Sequence, residues 1–439
     1  MNTMQVNKAL AAGDVDTRGV LPKLDRLSET TVVFDIDFGL RELPEQPGII
    51  VVRGPRQYGK STWLQQQVRR TIETYGPGSA FHLTGDEIVN WRSLIDEIRS
   101  LLPLFRRDSP VRRIFIDEIT AVQEWERALK ILSDAGELEK TLVVTTGSKA
   151  ADLRRGTERL PGRKGKLPRT NYIFTPLSYP EFVRGCAPHI APEDMLPAYM
   201  LSGGAPVAAS AVATEGHLPE YVIELVRDWV LGAVAASGRS RAALLALLDC
   251  LYRFGGTPLG QSKLARETGL ANNTVAAGYI ELLHDLLSVV PANAWDASRA
   301  RPNRRKPCKY HFANLLVAVA WHPQHPRTPA DIRDMSPEQH GALLEWTAVQ
   351  EFWRRQCCKH GEVPETVPFW QSDKHELDIV TGPNEFLEIK RGKTSPLDFA
   401  WFGKVFPKGH LTVVSASRFE TDRITGVTFD DFLRAQYVQ

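Results

Sequence analysis

Short apolar runs alternate with longer amphipathic stretches through the first third of the chain. The run from Ile49 to Val52 has the pattern of a buried strand, and the stretch from Ser61 toward Tyr75 has a helical pattern. A second β-rich run covers Ile114 to Ile116, and TLVVTTGSKA provides another. Strands that alternate with helices are typical of α/β domains with a parallel sheet. The first third is therefore expected to fold around such a sheet.

The middle of the chain has a mainly helical pattern. From about Ala187 to Gly238 this pattern is interrupted by two glycines and a proline, Gly203, Gly204 and Pro206. An apolar helix, a short helix and a longer helix follow in SRAALLALLDCLYRFGGTPLGQSKLARETGLANNTVAAGYIELLHDLLSVV. Gly269 lies in the turn between the last two of these helices. This order predicts a helix-turn-helix.

The last third mixes one helix with several strands. GALLEWTAVQEFWRR predicts an amphipathic helix that begins near Gly341 and carries Glu345 among its apolar residues. VPFWQ, HELDIV, EFLEIK and LTVVSAS each have a strand pattern, and a helical stretch near Leu397 separates the last two. The expected order is therefore a helix, strands, a second helix and a strand.

The loop after the first strand carries the motif G-x-x-x-x-G-K-[ST] in GPRQYGKST. Its glycines allow backbone N–H groups to approach phosphates, and the following helix N-terminus adds positive potential. In this role Lys60 would contact the β- and γ-phosphates and the Ser61 hydroxyl would bind Mg²⁺. The alternative is a glycine-rich turn with a surface lysine. The residues assigned to ATP binding here are Gly54, Pro55, Arg56, Gln57, Tyr58, Gly59, Lys60, Ser61 and Thr62.

Two further strand ends carry candidate catalytic residues. Asp117 and Glu118 follow the strand Ile114 to Ile116, at the edge where open α/β sheets bind ligands. Asp117 would hold Mg²⁺, directly or through water, and Glu118 would orient or deprotonate the attacking water. The alternative is a pair of acids at a helix N-terminus. Thr146 and Ser148, at the end of the next strand, either sense the γ-phosphate or are ordinary polar residues at a strand end.

A basic loop, RRGTERLPGRKGKLPR, follows this strand. One of its arginines is a candidate for stabilising the transferred phosphate, in its own subunit or in a neighbouring one. Arg163 is the candidate phosphate-sensing residue. The alternative is a solvated basic loop, and the set comprises Arg154, Arg155, Arg159 and Arg163.

These motifs, together with FTPLSYPEF and YMLSGGAPV, resemble the AAA-type ATPases of bacteria and archaea that carry a C-terminal domain of unknown function. The resemblance extends over almost the whole chain from about Phe34. It implies an α/β P-loop fold that uses ATP and Mg²⁺, with a core at residues 31–186 and a helical lid at residues 187–238. Residues 1–30 would precede this core as an N-terminal extension.

The expected helix-turn-helix and the segment after it suggest a winged helix at residues 239–315. Asn272, Asn273 and Thr274 would open the second helix of the motif, where recognition helices contact base edges. The segment NAWDASRARPNRRKPCKYHF would form a wing whose cations suit phosphate contacts. The alternative is a module that only packs against other domains. The wing cations are Arg299, Arg301, Arg304, Arg305, Lys306 and Lys309.

Residues 316–439 resemble the restriction-endonuclease core in element order and in the motif of Asp, a gap and Glu-x-Lys. Asp378, Glu388 and Lys390 match this motif, and Glu345 matches the helix acid of many members, whereas Leu377 stands where the motif has proline. The carboxylates of Asp378, Glu388 and Glu345 would hold Mg²⁺, with Lys390 beside them. The alternative is a domain that keeps this fold and only binds a partner.

Strand register decides whether this C-terminal site exists. Alternate residues of a strand share a face, so Glu388 and Lys390 point one way and Leu387 the other. A two-residue turn that pairs Thr381 with Asn384 would place Asp378 opposite Leu387. A three-residue loop, or an equivalent bulge, places Asp378 opposite Glu388. We expect the second arrangement.

Composition narrows the choice of function only slightly. The chain has 439 residues, with 54 Lys and Arg against 52 Asp and Glu, so nucleic-acid contacts must come from local patches. Five scattered cysteines favour a reducing compartment, and neither a signal peptide nor a membrane span is apparent, so we expect a cytoplasmic protein. The prediction is an ATPase that couples turnover to action on DNA. The alternative is an ATP-dependent signalling or defence switch, and the sequence leaves a homo-oligomer or a protein partner open.

Overall fold

The computed structural model describes residues 1–148, 162 and 165–435. These residues divide into two compact units. The first unit comprises Met1–Thr175 and Cys357–Glu362, and the second comprises Pro176–Gln356 and Val363–Gln439. Within the described part of the chain, no helix is both long and apolar enough to cross a membrane.

The first unit is built on a five-stranded sheet in the order β2-β3-β4-β1-β5. Every neighbouring pair of strands in it is parallel. The apolar runs form central strands that are buried on both faces, as parallel sheets require. This confirms the expected α/β parallel sheet and adds two strands that the pattern did not predict, β2 and β5. The strands are β1 (Gly48–Arg53), β2 (Ala80–Thr84), β3 (Arg113–Asp117), β4 (Leu142–Gly147) and β5 (Asn171–Ile173).

The described residues of the first unit include the helices α1 (Thr3–Ala12), α2 (Pro22–Ser28), α3 (Lys60–Tyr75), α4 (Trp91–Leu101) and α5 (Trp125–Asp134). Helix α1 packs on the edge strand β2. The buried Asn7 side chain donates to the carbonyl oxygen of His82 at 2.8 Å and accepts from its N–H at 2.9 Å. The N-terminal residues thereby satisfy backbone groups that an uncovered sheet edge would expose.

The second unit begins with four helices, α6 (Tyr179–Cys186), α7 (Met195–Ser202), α8 (Pro206–Glu215) and α9 (Glu220–Ala236). Helix α6 begins with a capping box in which Ser178 and Glu181 bond reciprocally. Gly203 ends α7 with a φ of 59°, in the left-handed region where glycine is favoured. The helical pattern of this stretch therefore corresponds to these helices, and its interruption by glycine and proline corresponds to the break between α7 and α8.

Three helices and a hairpin come next: α10 (Arg241–Arg253), α11 (Gln261–Glu267), α12 (Asn273–Asp285), β6 (Val289–Asp296) and β7 (Arg301–Phe312). The hairpin is antiparallel, and its register shifts between Asn293 and Ala294. Asn293 pairs with Cys308 whereas Ala294 pairs with Asn303, so residues 304–307 bulge out of the ladder. The three helices follow one another in the order that the sequence pattern predicted.

The remaining helices of the second unit are α13 (Leu315–Ala320), α14 (Pro329–Arg333), α15 (Pro337–His360), α16 (Phe402–Val405) and α17 (Phe429–Arg434). A 3₁₀ turn at Pro396–Phe399 precedes α16 and accounts for the helical pattern near Leu397. The last strands are β8 (Trp370–Gln371), β9 (Glu376–Leu377), β10 (Ile379–Gly382), β11 (Glu385–Ile389), β12 (His410–Ser415), β13 (Phe419–Glu420) and β14 (Ile424–Thr428). The pattern did not predict β13, β14 or α17.

The second unit contains a five-stranded mixed sheet in the order β10-β11-β12-β14-β13. Its central strands β11, β12 and β14 are parallel, and its two outer strands are antiparallel to their neighbours. In the β10–β11 hairpin, Ile379 pairs with Leu387 and Val380 with Phe386, after which Gly382 pairs with Glu385. A bulge at Thr381 thus sets the register, which confirms the arrangement expected from the sequence.

Candidate functional site

The loop between β1 and α3 lies against the backbone of a neighbouring segment. A Cβ atom on Gly54 would lie 2.7 Å from the carbonyl oxygen of Phe174, so only glycine fits at this position. Gln57 and Gly59 have φ values of 64° and 98°, in the left-handed region, which turns the loop sharply into α3. Tyr58 is buried, and Ser61 and Thr62 lie in the first turn of the helix. The loop therefore has the shape that the motif predicts.

The Lys60 side chain folds back onto this loop. Its buried amine donates to the carbonyl oxygens of Gly54, at 3.0 Å, and Pro55, at 2.6 Å. Burial lowers the pKa of Lys60 to about 8, against the opposing effect of the Glu118 and Asp117 carboxylates. The amine therefore lies within the electrostatic reach of both acids and is satisfied by loop carbonyls.

Asp117 ends β3 beside the end of β4. Its Oδ1 accepts from the Thr146 hydroxyl at 2.5 Å and from the backbone N–H of Glu118 at 3.1 Å. The Thr146 hydroxyl oxygen also accepts from that N–H at 3.2 Å. The predicted residues Asp117 and Thr146 are thus brought together at the carboxyl edge of the parallel sheet.

Glu118 is held in a defined orientation by three donors. Its Oε1 accepts from the Ser148 N–H at 2.9 Å, from the Ser148 hydroxyl at 2.7 Å and from the Thr120 hydroxyl at 2.8 Å. Burial raises the pKa of the carboxyl, but these hydrogen bonds and the Lys60 charge hold it below its usual value. Its φ of 48° is unusual for a residue other than glycine and is typical of constrained functional sites. Glu118 is therefore an oriented carboxylate.

Sequence reasoning missed several neighbours of these acids. A Cβ atom on Gly85 would lie 2.4 Å from the carbonyl oxygen of Glu118, so this glycine permits the close approach of the two backbones. His82 on β2 is buried, and burial lowers the pKa of its imidazole despite the charge of Asp117. Arg56, assigned to the loop, donates from Nε to the Ser148 hydroxyl at 3.2 Å. The apolar run AFHLT followed by glycine was the available signal for β2 and Gly85.

The predicted phosphate-sensing arginine, Arg163, lies outside the described residues, as do Arg154, Arg155 and Arg159. The donor set fits Mg²⁺, because the Ser61 hydroxyl and the Asp117 carboxylate are oxygen ligands of the kind that this ion prefers.

Asp378 and Glu388 meet at the start of the β10–β11 hairpin. The Asp378 N–H donates to Glu388 Oε2 at 3.2 Å, and Asp378 Oδ2 accepts from the Ile389 N–H at 2.7 Å. Both acids are buried, and Lys390 Nζ lies 2.5 Å from Glu388 Oε1. Burial and the Asp378 charge raise the pKa of Glu388 to about 8 despite Lys390. The three motif residues are therefore assembled, as the register predicted.

Glu345 on α15 also contributes to this group of acids. Burial and the Asp378 charge raise the pKa of Glu345 to about 7, and Glu345 Oε1 has no hydrogen-bond partner within the described part of the chain. Together with Glu376 on β9, these side chains form the C-terminal acid site, which we define as Glu345, Glu376, Asp378, Glu388, Lys390 and Lys309.

Lys309 was predicted to be a wing cation, and this prediction is wrong. Its side chain is 1% exposed, and its amine pairs with Glu376 Oε1 and lies 3.8 Å from Glu345 Oε1. Local pattern did not reveal this, because Lys309 continues the basic run of the hairpin in sequence. Only the folding of β7 against α15 and β9 separates it from its neighbours.

The acid site carries an imbalance of formal charge. Four carboxylates face two lysine amines, and burial together with the Asp378 charge raises the pKa of Glu345 to about 7 and that of Glu388 to about 8, so these two acids retain protons near neutral pH. Carboxylate oxygens suit a divalent cation in place of those protons, and Glu345 Oε1 makes no hydrogen bond within the described residues, although it lies 3.8 Å from the Lys309 amine. In the arrangement present, however, no three His, Cys, Asp or Glu side chains of residues 1–148, 162 and 165–435 are placed to hold one metal ion together.

The other predicted wing cations lie on the surface. Arg299, Arg301, Arg305 and Lys306 are exposed, and Arg304 is exposed and pairs with Glu365. Asn272 caps α12 by accepting from the Val275 N–H at 3.0 Å, and Asn273 and Thr274 are exposed beside it. These residues form a basic hairpin and a polar helix start within the second unit.

Comparison with known proteins finds a family match for part of the chain. Residues 46–183 match the family model described as AAA domain. No curated protein matches the chain. Among solved structures, the chain is similar to a Walker-type ATPase of Pyrococcus abyssi, with 14% identity and a TM-score of 0.44 over 68% of this chain and 94% of that one.

Two further solved structures are similar over much of their length. The Aeropyrum pernix ORC1 protein, solved in complex with DNA, has 15% identity and a TM-score of 0.34 over 72% of this chain and 95% of that one. A Thermotoga maritima RuvB mutant has 15% identity and a TM-score of 0.30 over 55% of this chain and 81% of that one. The family match and the parallel sheet together support an AAA-type P-loop domain at residues 46–183.

Proposed function

We propose that the chain binds ATP with Mg²⁺ and hydrolyses it at the loop 54–62. The main support for this proposal is the position of the Glu118 carboxylate. It is oriented by Ser148 and Thr120 and lies within the electrostatic reach of the buried Lys60 amine. An oriented acid beside a phosphate-binding loop is the arrangement that phosphoryl transfer to water requires.

The roles of the residues follow from their contacts. Lys60 donates to two loop carbonyls, and phosphate oxygens would replace these as stronger, charged acceptors. Ser61 and Asp117 would hold Mg²⁺, which supplies charge neutralisation for the phosphates when it is bound. Glu118 would accept a proton from water as the water oxygen bonds to the γ-phosphorus. The bond from that phosphorus to the bridging oxygen then breaks, and ADP leaves with the electron pair.

Two variants separate binding from turnover. Lys60→Ala should lose most affinity for a fluorescent ATP analogue, because the cation of the loop is removed. Glu118→Gln should bind this analogue as the unmodified protein does and lose ATP hydrolysis, measured as phosphate release. Hydrolysis unchanged in Glu118→Gln would remove the role assigned to this residue. The exposed Glu139→Gln serves as the matched control and should alter neither measurement.

We further propose that ATP turnover is coupled to action on DNA through a lid at 187–238, a winged helix at 239–315 and a restriction-endonuclease-like domain at 316–439. Support comes from the exposed cations of the β6–β7 hairpin and from the assembled Asp378, Glu388 and Lys390. Asp378 and Glu388 would hold Mg²⁺, which polarises a phosphodiester when bound, and Lys390 would stabilise negative charge beside it.

A cleavage assay tests this coupling. The unmodified protein should cut plasmid or single-stranded DNA with Mg²⁺ or Mn²⁺, and the double variant Asp378→Asn, Glu388→Gln should not. DNA binding without cleavage would favour the alternative, an ATP-dependent signalling or defence switch whose last domain is a binding module. Absence of both binding and cleavage would end the DNA proposal and leave the ATPase proposal standing.

A further inference from the structure

The position of Lys309 is unusual for a lysine. Its side chain is 1% exposed, whereas Arg304, Arg305 and Lys306 on the same strand are exposed. Burial of an ammonium group is costly unless opposite charges compensate for it. The compensating groups here are three carboxylates, those of Glu345, Asp378 and Glu376. The amine therefore serves as an internal cation of the acid site.

His311 provides a second, independent observation. It is two residues after Lys309 on β7, is fully buried, and neither of its ring nitrogens has a hydrogen-bond partner in the described part of the chain. Its Nδ1 lies 3.8 Å from Glu345 Oε1, an oxygen that likewise has no hydrogen-bond partner there. Buried polar atoms without partners are rare and call for an explanation.

An imidazole nitrogen and carboxylate oxygens are suitable ligands for a divalent transition-metal ion. The Lys309 amine lies at the same carboxylates, because it pairs with Glu376 and is 3.8 Å from Glu345 Oε1. A lysine amine and a metal ion cannot occupy one position. With the amine in place, no three such ligands are gathered around a common point in the described residues.

We propose that Lys309 is a built-in cation that takes the place of one divalent ion, and that Glu345, Glu376 and His311 form a latent metal site that opens when this amine is removed. The inference rests on the proposed acid-site chemistry in one respect, since both use the same group of acids. In the unmodified protein, a single metal ion would bind on the side of the acid site formed by Asp378, Glu388 and Lys390, because Lys309 occupies the other side.

The test is a titration of the full chain with MnCl₂ alone, without nucleotide or DNA, by isothermal titration calorimetry. Lys309→Met should bind one additional Mn²⁺ per chain, or bind Mn²⁺ at least about tenfold more tightly, because the positive charge that competes for the position of the ion is removed. The matched control is Lys306→Met, an exposed lysine on the same strand, which should titrate as the unmodified protein does. The double variant Lys309→Met, Glu345→Gln should lose the gain.

Equal titrations of Lys309→Met and Lys306→Met would overturn the inference, and so would a gain that survives Glu345→Gln. If Lys309→Met does not fold without metal, its refolding is followed by circular dichroism with MnCl₂ and with NaCl at equal ionic strength. Recovery with Mn²⁺ alone supports the inference, and failure with Mn²⁺ overturns it. DNA cleavage by the unmodified protein is measured separately. Increased Mn²⁺ binding by Lys309→Met without any DNA cleavage by the unmodified protein would contradict only the nuclease proposal.

Discussion

The backbone N–H of Asp378 donates a hydrogen bond to the Glu388 carboxylate at 3.2 Å, across the start of the β10–β11 hairpin. This contact exists because a bulge at Thr381 sets the register in which Ile379 faces Leu387. A register one residue different would turn every side chain of β10 to the other face of the sheet. The C-terminal acid site therefore depends on a single extra residue in one strand.

The Asp378 carboxylate should also contribute to stability. It accepts from the backbone N–H of Ile389 at 2.7 Å within a buried region. Asp378→Ala should lower the free energy of unfolding by about 1–3 kcal/mol, because that N–H loses its acceptor. Asp378→Asn keeps an acceptor oxygen and should cost clearly less. Urea denaturation measures both, and equal losses in the two variants would contradict this assignment.

Ser148 should set the acid limit of ATP hydrolysis. Its N–H and hydroxyl are among the groups that hold the pKa of Glu118 below its usual value against burial. Ser148→Ala removes the hydroxyl, so the pKa of Glu118 should rise and the base should become protonated at higher pH. The acidic limb of the kcat profile should therefore move to higher pH, while the exposed Ser100→Ala leaves it in place. An acidic limb that stays fixed, or moves to lower pH, in Ser148→Ala would refute this role.

Gly54 should tolerate no side chain. A Cβ atom there would lie 2.7 Å from both the Cβ and the carbonyl oxygen of Phe174. Gly54→Ala should destabilise the first unit by about 1–3 kcal/mol and weaken ATP binding, since the backbone must shift. The control is Gly232→Ala in α9, where a Cβ meets nothing within 4 Å and helix propensity predicts a gain of up to about 1 kcal/mol. Thermal unfolding compares the two, and equal stabilities would contradict the steric argument.

The exposed cations of the hairpin should provide salt-dependent DNA affinity. Replacing Arg301, Arg305 and Lys306 by alanine should weaken DNA binding and reduce the slope of log affinity against log salt by about 0.9 per lost phosphate contact. Fluorescence anisotropy at several salt concentrations measures this slope. Removal of three exposed lysines from the first unit, Lys8, Lys130 and Lys140, is the charge-matched control. An equal effect in both triple variants would assign the binding to net charge alone.

The sequence by itself determined the features that depend on local spacing. The motif from Gly54 to Ser61 and the acids after Ile116 are contiguous in the chain, and a strand or a helix start places each of them without long-range information. The register of Asp378 and Glu388 was also predictable. Side chains alternate along a strand, so the two carboxylates lie either on the same face of the hairpin or on opposite faces, and only the first arrangement forms a site. The strands β13 and β14 are short, two and five residues, and gave no clear alternation.

Only the tertiary structure decided the environment of Lys309. In sequence it resembles Lys306, since both lie in one basic run, and local pattern predicts the same solvent contact for each. Glu345 and Glu376 are 36 and 67 residues further along the chain, and they meet Lys309 only because β7, α15 and β9 pack together. Remote segments bury Lys309, so this lysine of a basic run is a cation of the acid site and not of the surface. The physical reason is that an ammonium group removed from water is stable only when opposite charges from other parts of the fold compensate for it.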